Sequence, residues 1–454
     1  MSKRNLILLI IVLAIAIIIV FGFLYSRQAP DTTGDDTGGT NFISQFNPFG
    51  NSRPAPPKVM PPVDVSGYQP NPEPVANVKL KKVSSMPIAG FGVFMKERLI
   101  DTPSASGISP FAGGENTVVP PAKGGSGGVK KKLPPPPPTE FVPALRYVHR
   151  ATGNIYQTFA DKIAEQQFSG TVIPKVYDAY FGAKGEAVVM RYLKSDDRTI
   201  ETFVGNLPKE LLGVETNGSN EIKGSFLPEN VKDVSISPDT AKVFYLFESA
   251  DSIIGATLNL LNNKKIQVFD SPFTEWLSFW PNDKIITLTT KPSSSVSGYM
   301  YIIDPNSKNL NKILGDINGL TTFMSPNGKL VLYADNNLSL GVYHLDTRNS
   351  DLLGTRTLPE KCVWGKASDI VYCAVPKLIN GGEYPDAWYQ GEVSFSDQIW
   401  KIDIKNGNAT MLSDPDTVTG GEDVDGIKLA LDENENYLFF VNKKDSFLWE
   451  LELK

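Results

Sequence analysis

Acid–base and nucleophilic chemistry needs a positioned base, and this sequence offers few. Only two histidines occur, His149 and His344. Each is expected on the third strand of a different β-sheet unit, and neither has a nucleophile motif beside it. Gly124-Gly125-Ser126-Gly127-Gly128 has the spacing of a nucleophile elbow. It lies in a glycine-rich tract rather than between a strand and a helix, so no serine nucleophile is assigned. There is no His-Glu-x-x-His, no phosphate-binding loop, no dinucleotide fingerprint and no zinc spacing. The carboxylates of Glu422, Asp423 and Asp425, and of Asp432, Glu433 and Glu435, fall in acidic turns that water solvates. No catalytic residue, metal site or cofactor is expected. One enzymatic reading stays open: a glycan hydrolase or lyase takes its carboxylates from distant strands, which spacing does not display.

The two cysteines, Cys362 and Cys373, form the next chemical pair. They lie on the arms of one predicted hairpin whose turn is centred on Ala367 and Ser368. They should therefore face each other, and directly opposed antiparallel residues come close enough for a disulfide. A cross-strand disulfide is predicted, with a pair of reduced core cysteines as the alternative. Residues 379–397 gather Tyr384, Trp388 and Tyr389 with proline and glycine. Such side chains are costly to leave in water: either they pack over the sheets or they bind something. Tyr384, Asp386, Trp388 and Tyr389 are the predicted contact patch, three aromatics for area and Asp386 as their polar partner.

These residues are carried by a recurring phrase. Ser235-Ile236-Ser237-Pro238-Asp239 leads into Val243-Phe244-Tyr245. Phe279-Trp280-Pro281-Asn282 leads into Ile285-Ile286-Thr287. Ser325-Pro326-Asn327-Gly328 leads into Leu330-Val331-Leu332-Tyr333. Weaker copies run from Tyr180, Cys362 and Leu429, and a seventh is read from Val83 to Met95 with its turn near Gly90 and Gly92. Proline presets the turn, and Asn, Asp or Gly follows where the backbone reverses. Second hairpins lie between the copies, among them 145–158, 342–352 and 399–411. Each unit thus has four strands, the makeup of a propeller blade. The phrase at 325–333, followed by Val342-Tyr343-His344-Leu345-Asp346, resembles the WD40-like (PD40-type) repeat of TolB-like β-propellers. The resemblance covers roughly residues 80–454 and implies an all-β propeller, most simply of seven blades, with six or eight as alternatives. The whole chain is also similar to uncharacterised membrane-anchored propellers of bacteria with reduced genomes, a likeness that brings no activity. The last blade lacks a fourth strand, and residues 75–80 are expected to supply it.

The N-terminus bears on location. A short basic tail, residues 1–5, precedes an unbroken apolar run over 6–25. That length suits a bilayer-spanning helix, exceeds a secretory h-region and has no small-x-small cleavage site after it. Basic residues ahead of the run predict a single-pass signal anchor with its N-terminus cytoplasmic and the propeller extracytoplasmic. Residues 26–74, rich in Pro, Gly, Thr and Asp, read as a disordered tether, leaving 75–454 for the propeller. A second low-complexity stretch, 102–143, interrupts the first blade with Lys130-Lys131-Lys132 and Pro134 to Pro138. It reads as a solvated insertion, or else as a docking peptide for a polyproline groove or an acidic partner. A net charge of −6 argues against nucleic acid. The expected function is a non-enzymatic, membrane-anchored scaffold for an envelope or surface protein. The alternatives are a glycan-binding sensor and a propeller-fold glycan hydrolase or lyase.

Overall fold

The computed structural model describes residues 63–64, 79–100, 137–210, 212–213, 218–418 and 420–454. The predicted anchor at 6–25, nearly all of the tether and most of the insertion lie outside the described residues. Among the described residues no helix is long and apolar enough to cross a membrane.

Among the described residues the strands form seven four-stranded antiparallel sheets and one two-stranded pair. The sheets begin at Ile88–Leu99, Val176–Gly182, Asp233–Ile236, Trp276–Asn282, Thr321–Met324, Cys362–Trp364 and Gly426–Leu431, and are numbered blades 1 to 7 in that order. The first strands of successive blades meet around a ring. The turn Pro359–Lys361 makes the contact between blades 5 and 6, and Gly426–Leu431 returns to Ile88–Leu99. The protein is a seven-bladed β-propeller.

Packing explains why the second strands read as continuous apolar runs rather than alternating ones. In Lys242–Ser249, Val243 and Tyr245 join the core between blades 2 and 3, while Phe244 and Leu246 join the core between blades 3 and 4. In Tyr437–Asn442, Leu438 and Phe440 face blade 6, and Phe439 and Val441 face blade 1. A strand buried on both faces has no polar side. Seven apolar clusters, one per blade junction, account for all but one of the buried clusters among the described residues.

The Ser-Pro-Asn-Gly phrase is the turn between first and second strands. Ser325 is buried, and its hydroxyl accepts from Leu330 N at 3.0 Å while Asn327 Oδ1 accepts from Lys329 N at 2.9 Å. Gly328 takes φ +69°. Thr240, Ser368 and Glu435 occupy the matching left-handed position in blades 3, 6 and 7.

Blade 7 is completed by Leu80–Lys82, which pairs with Leu448–Glu452 as its outermost strand. The closing strand thus lies at the C-terminal edge of the expected 75–80 and shares only Leu80 with it. Val63–Asp64, inside the span read as tether, pairs with Leu378–Ile379 of blade 6.

Blade 1 departs from the expected strand plan. Gly90 and Gly92 are not at a turn but inside one long strand, Ile88–Leu99, whose partner Thr139–His149 follows the insertion. A Cβ at Gly90 would lie 2.0 Å from Ala179 O, and one at Gly92 would lie 2.5 Å from Phe181 Cβ. The glycines are there because blade 2 approaches closely, not because the chain reverses. Residues 145–158 are accordingly strands two and three, and His149 ends the second strand rather than lying on the third.

Candidate functional site

Each blade meanders from inner to outer strand, so all inner strands start on one face, and the loops between strands two and three return to it. The aromatic loop of blade 6 lies on that face. It forms a lid built around a single helical turn, Asp386–Tyr389. Tyr384, Trp388 and Phe395 are buried there with Leu338, Leu358 and Ile379. Trp388 and Phe395 stack with ring centroids 6.3 Å apart.

Beneath the lid is a charge cluster. Lys361 Nζ lies 2.7 Å from Asp397 Oδ2 and also bonds Asp425, and all three side chains are fully buried. Asp425 Oδ2 accepts from Trp388 Nε1 at 2.9 Å and from Phe395 N at 3.1 Å. Asp397 Oδ2 accepts from Gly426 N at 2.7 Å, but its Oδ1 has no partner. Burial pushes the Asp397 carboxyl up to about 6, despite Lys361. Burial acts on Asp425 too, but Lys361 and the added hydrogen bonds outweigh it and hold that carboxyl below its ordinary value. One lysine serves two carboxylates, and the cluster favours the ionised form of Asp425 more than that of Asp397. Lys443 donates to the Trp388 carbonyl and lies 4.1 Å from the indole centroid.

This geometry corrects the predicted contact patch. Tyr384 and Trp388 are each only 3% exposed, because their rings fill the space over the Lys361 cluster and the indole N–H is satisfied by Asp425. They offer no surface platform, and a glycan sensor built on them loses its stacking surface. Asp386 is spent inside the protein, accepting from Ser294 N of blade 4 at 2.5 Å. Of the three rings only Tyr389 reaches solvent, 37% exposed, with its hydroxyl bonded to Glu360. Cys362 and Cys373 are opposed in register and joined by a disulfide within the blade 5–6 core.

Next to the lid the central channel opens into a cavity of about 510 Å³, lined from all seven blades. Its polar groups cluster where the inner strands begin. Asp178 is saturated: Lys428 Nζ lies 2.6 Å away, Arg191 Nη1 3.3 Å and Tyr180 Oη 2.8 Å. Burial alone would raise this carboxyl, but the two cations hold it below the usual range. Lys428 comes from a bulge in the inner strand of blade 7 at φ 52° and also donates to Ala89 O of blade 1. A bulge re-aims a side chain, and this one ties blade 7 across blade 1 to blade 2. Asp233 accepts from Ser278, through its N–H at 2.5 Å and its hydroxyl at 2.8 Å, and from the Val234 N–H. Protein surrounding it pushes its carboxyl up to about 6. Glu360 is exposed to the water of the channel mouth, and desolvation by the surrounding protein walls pushes its carboxyl up to about 7.

The opposite face carries a second feature that sequence reading missed. The inner hairpin of blade 1 has strands of 12 and 11 residues. Its third strand pairs only as far as Ala144 with Phe159. Past that pair Ala160 N still donates to Pro143 O at 3.0 Å, and four further rungs, Lys96↔Val142 to Leu99↔Thr139, extend beyond it as a two-stranded arm, roughly 13 Å long at 3.3 Å per residue. Arg98 braces it through Glu140 at 2.8 Å and Asp161 at 2.9 Å. At its root, buried Arg146 donates to Gly185 O at 2.5 Å and to Glu210 at 2.9 Å. Phe141 stays 64% exposed on the arm, with Leu99 and Ile100 also in water. Residues 101–136, which the arm carries, lie outside the described residues.

The histidines are apart from both features. His149 is buried at the edge of Tyr156, and desolvation lowers its pKa; His344 pairs with Asp351 at 3.1 Å. Among the described residues no group of three or more His, Cys, Asp or Glu is arranged to hold a metal ion.

No family model matches the chain, and no curated relative matches it. Solved structures do. An oligogalacturonate lyase from Vibrio parahaemolyticus is 10% identical with a TM-score of 0.45, over 69% of this chain and 94% of that one. An oligogalacturonate lyase in complex with manganese is 10% identical with a TM-score of 0.44, over 68% and 85%. TolB from Acinetobacter baumannii is 9% identical with a TM-score of 0.36, over 67% and 61%. At these identities the likeness concerns the fold alone. The all-β, seven-bladed propeller expected from the Ser-Pro-Asn-Gly phrases is the fold these sheets build.

Proposed function

We propose that this protein is a non-enzymatic interaction module, held by residues 6–25 as a single-pass anchor in a cell membrane. Its N-terminus faces the cytoplasm, and the propeller works outside it, docking an envelope or surface protein. The observation that carries this reading is the arm of blade 1. A braced two-stranded projection extends past the ring and keeps Phe141 in water, where its apolar area is costly to leave unburied. Aromatic side chains on rigid elements are what interfaces use. The membrane part rests on the uncharged apolar run and the basic residues before it.

The test is a photo-crosslinking residue at position 141 in the full-length protein, in its own cells, with the same probe at exposed Leu352 of blade 5 as control. A discrete adduct at 141 but not at 352, weakened by Glu97→Lys on the same face of the arm, supports the reading. Identical background from both sites overturns it. Protease protection of intact cells tests the topology: the propeller should be digested from outside. A glycan-cleaving role remains the rival because Asp233 and Glu360 share the channel mouth. It predicts new reducing or unsaturated ends from oligosaccharides, lost in Glu360→Gln.

A further inference from the structure

We infer that the channel mouth beside the lid is a binding site for an organic cation, an alkylammonium or guanidinium group. This site is on the face opposite the arm and does not depend on the docking role proposed above.

The mouth contains its own control. Where the fold needs a fixed cation it supplies one: Asp178 receives both Lys428 and Arg191. Asp233 and Glu360 border the same cavity, and among the described residues neither has a lysine or arginine within ion-pairing distance. Their nearest partners are neutral, Ser278 for Asp233 and Tyr389 for Glu360. Asp233 is half-buried and Glu360 faces the channel water, and neither has a paired cation where the protein walls displace part of the solvent, so both are costly to ionise. That cost appears as the upward shift in the proton affinity of both groups, with Arg191 near Asp233 and Lys361 and Lys443 near Glu360 only partly offsetting it. A bound cation would supply the missing charge.

The apolar lining suits the same ligand. Phe279 and Phe323 lie with centroids 4.5 Å apart at the cavity wall, and Phe91 and Tyr389 complete an aromatic border. Carboxylates set among ring faces recognise ammonium and guanidinium groups through charge-assisted hydrogen bonds and cation–π contact. Thr321, only 5% exposed, lines the cavity with an Oγ1 that has no partner, leaving an unused acceptor for a ligand N–H. An anion would meet two uncompensated carboxyls, and a neutral polyol would bring hydrogen bonds but not charge.

Two sources share this chemistry: a free amine, or a basic side chain of another protein. Calorimetric titration of the detergent-solubilised full-length protein distinguishes them. The probes are putrescine and an N-acetylated, C-amidated peptide containing one arginine, with 1-butanol as the neutral control. Saturable binding of a cationic probe, absent for butanol and weakened ~10-fold or more in Glu360→Gln, is expected, since a lost hydrogen bond to a charged group typically costs that much. Preference for putrescine points to a free metabolite, and preference for the peptide to a partner's side chain. Asp233→Asn should weaken binding too. Because Asp233 also accepts the Ser278 amide, Glu360→Gln, which alters a water-facing group, is the deciding variant. No saturation by either cation, or equal affinity in Glu360→Gln, overturns the inference.

Discussion

Glu450 lies on the third strand of blade 7 with no exposure, and both its carboxylate oxygens lack a hydrogen-bond partner. Lys81, 3.9 Å away, is itself partly in water. Burial pushes this carboxyl up to about 8, so it is held mostly neutral near pH 7, and the nearby lysine is no true ion pair. The folded state therefore binds this proton more tightly than the unfolded chain. The stability it confers is full below the ordinary glutamate range and is lost as pH rises towards about 8. Glu450→Gln should be close to neutral at pH 5 and stabilise by about 2 kcal/mol at pH 8.5, the usual scale for an unpartnered buried polar group. Denaturant melts at the two pH values check this, and parallel melts at both would sink it. The repeat phrase carries a second residue-scale prediction. Three of its left-handed positions are not glycine, because each side chain reaches the neighbouring turn: Thr240 Oγ1 accepts from Lys184 N, Ser368 Oγ from Asn327 N, and Glu435 Oε1 from Lys366 N. Glu435→Gly loses that bond but relieves the strained backbone, so its melting temperature should stay near wild type. Glu435→Ala keeps the strain and loses the bond, costing about 1 kcal/mol. If alanine proves the better substitute, the backbone argument is wrong.

Elements differ in how much of them the sequence reveals. The first hairpins of blades 3 to 5 were legible because their turn chemistry is local, with proline followed by Asn or Asp, and those of blades 6 and 7 were weaker copies without the proline. The arm of blade 1 was not, since its two strands are separated by the insertion and its glycines mimic turn residues while serving close contact with blade 2. The lid was legible as an aromatic loop but not as a buried one. Its anchors Lys361, Asp397 and Asp425 are up to 64 residues apart and meet only through the ring. That arrangement fixes what mutation should do. Lys361→Met leaves two buried carboxylates without their cation and should destabilise by about 3–5 kcal/mol. Adding Asp397→Leu and Asp425→Leu together should recover part of the loss, read by chemical melts of wild type, the single variant and the triple variant. Trp388→Ala should cost about 3 kcal/mol through the cavity it opens. An unchanged melt for Trp388→Ala would mean that the lid does not pack as described.

At the scale of the molecule, stability rests on neighbour contacts. A blade touches the blade on either side, so a linear array of seven has six junctions and a closed ring has seven. Leu80–Lys82 makes the seventh secure: it pairs with Leu448–Glu452 of the last blade, and Val83 N, next in the chain, donates to Leu448 O at 2.8 Å before the first blade starts. The disulfide acts differently. It joins residues 11 apart within one blade, so it restrains the unfolded chain by about 2–3 kcal/mol without linking one blade to another. The two devices should separate in a melting experiment. Reduction should lower the melting temperature by a few degrees and keep a single cooperative transition. Replacing residues 80–82 with Gly-Ser-Gly removes the outer edge of blade 7, exposes Leu451 and Trp449, and loosens the core that they share with blade 6. Its melt should be lower and split, with blades 6 and 7 exchanging amide hydrogens ahead of blades 3 to 5. A single sharp transition with uniform exchange would show that the ring is closed by the side-chain cores alone and that this strand is dispensable.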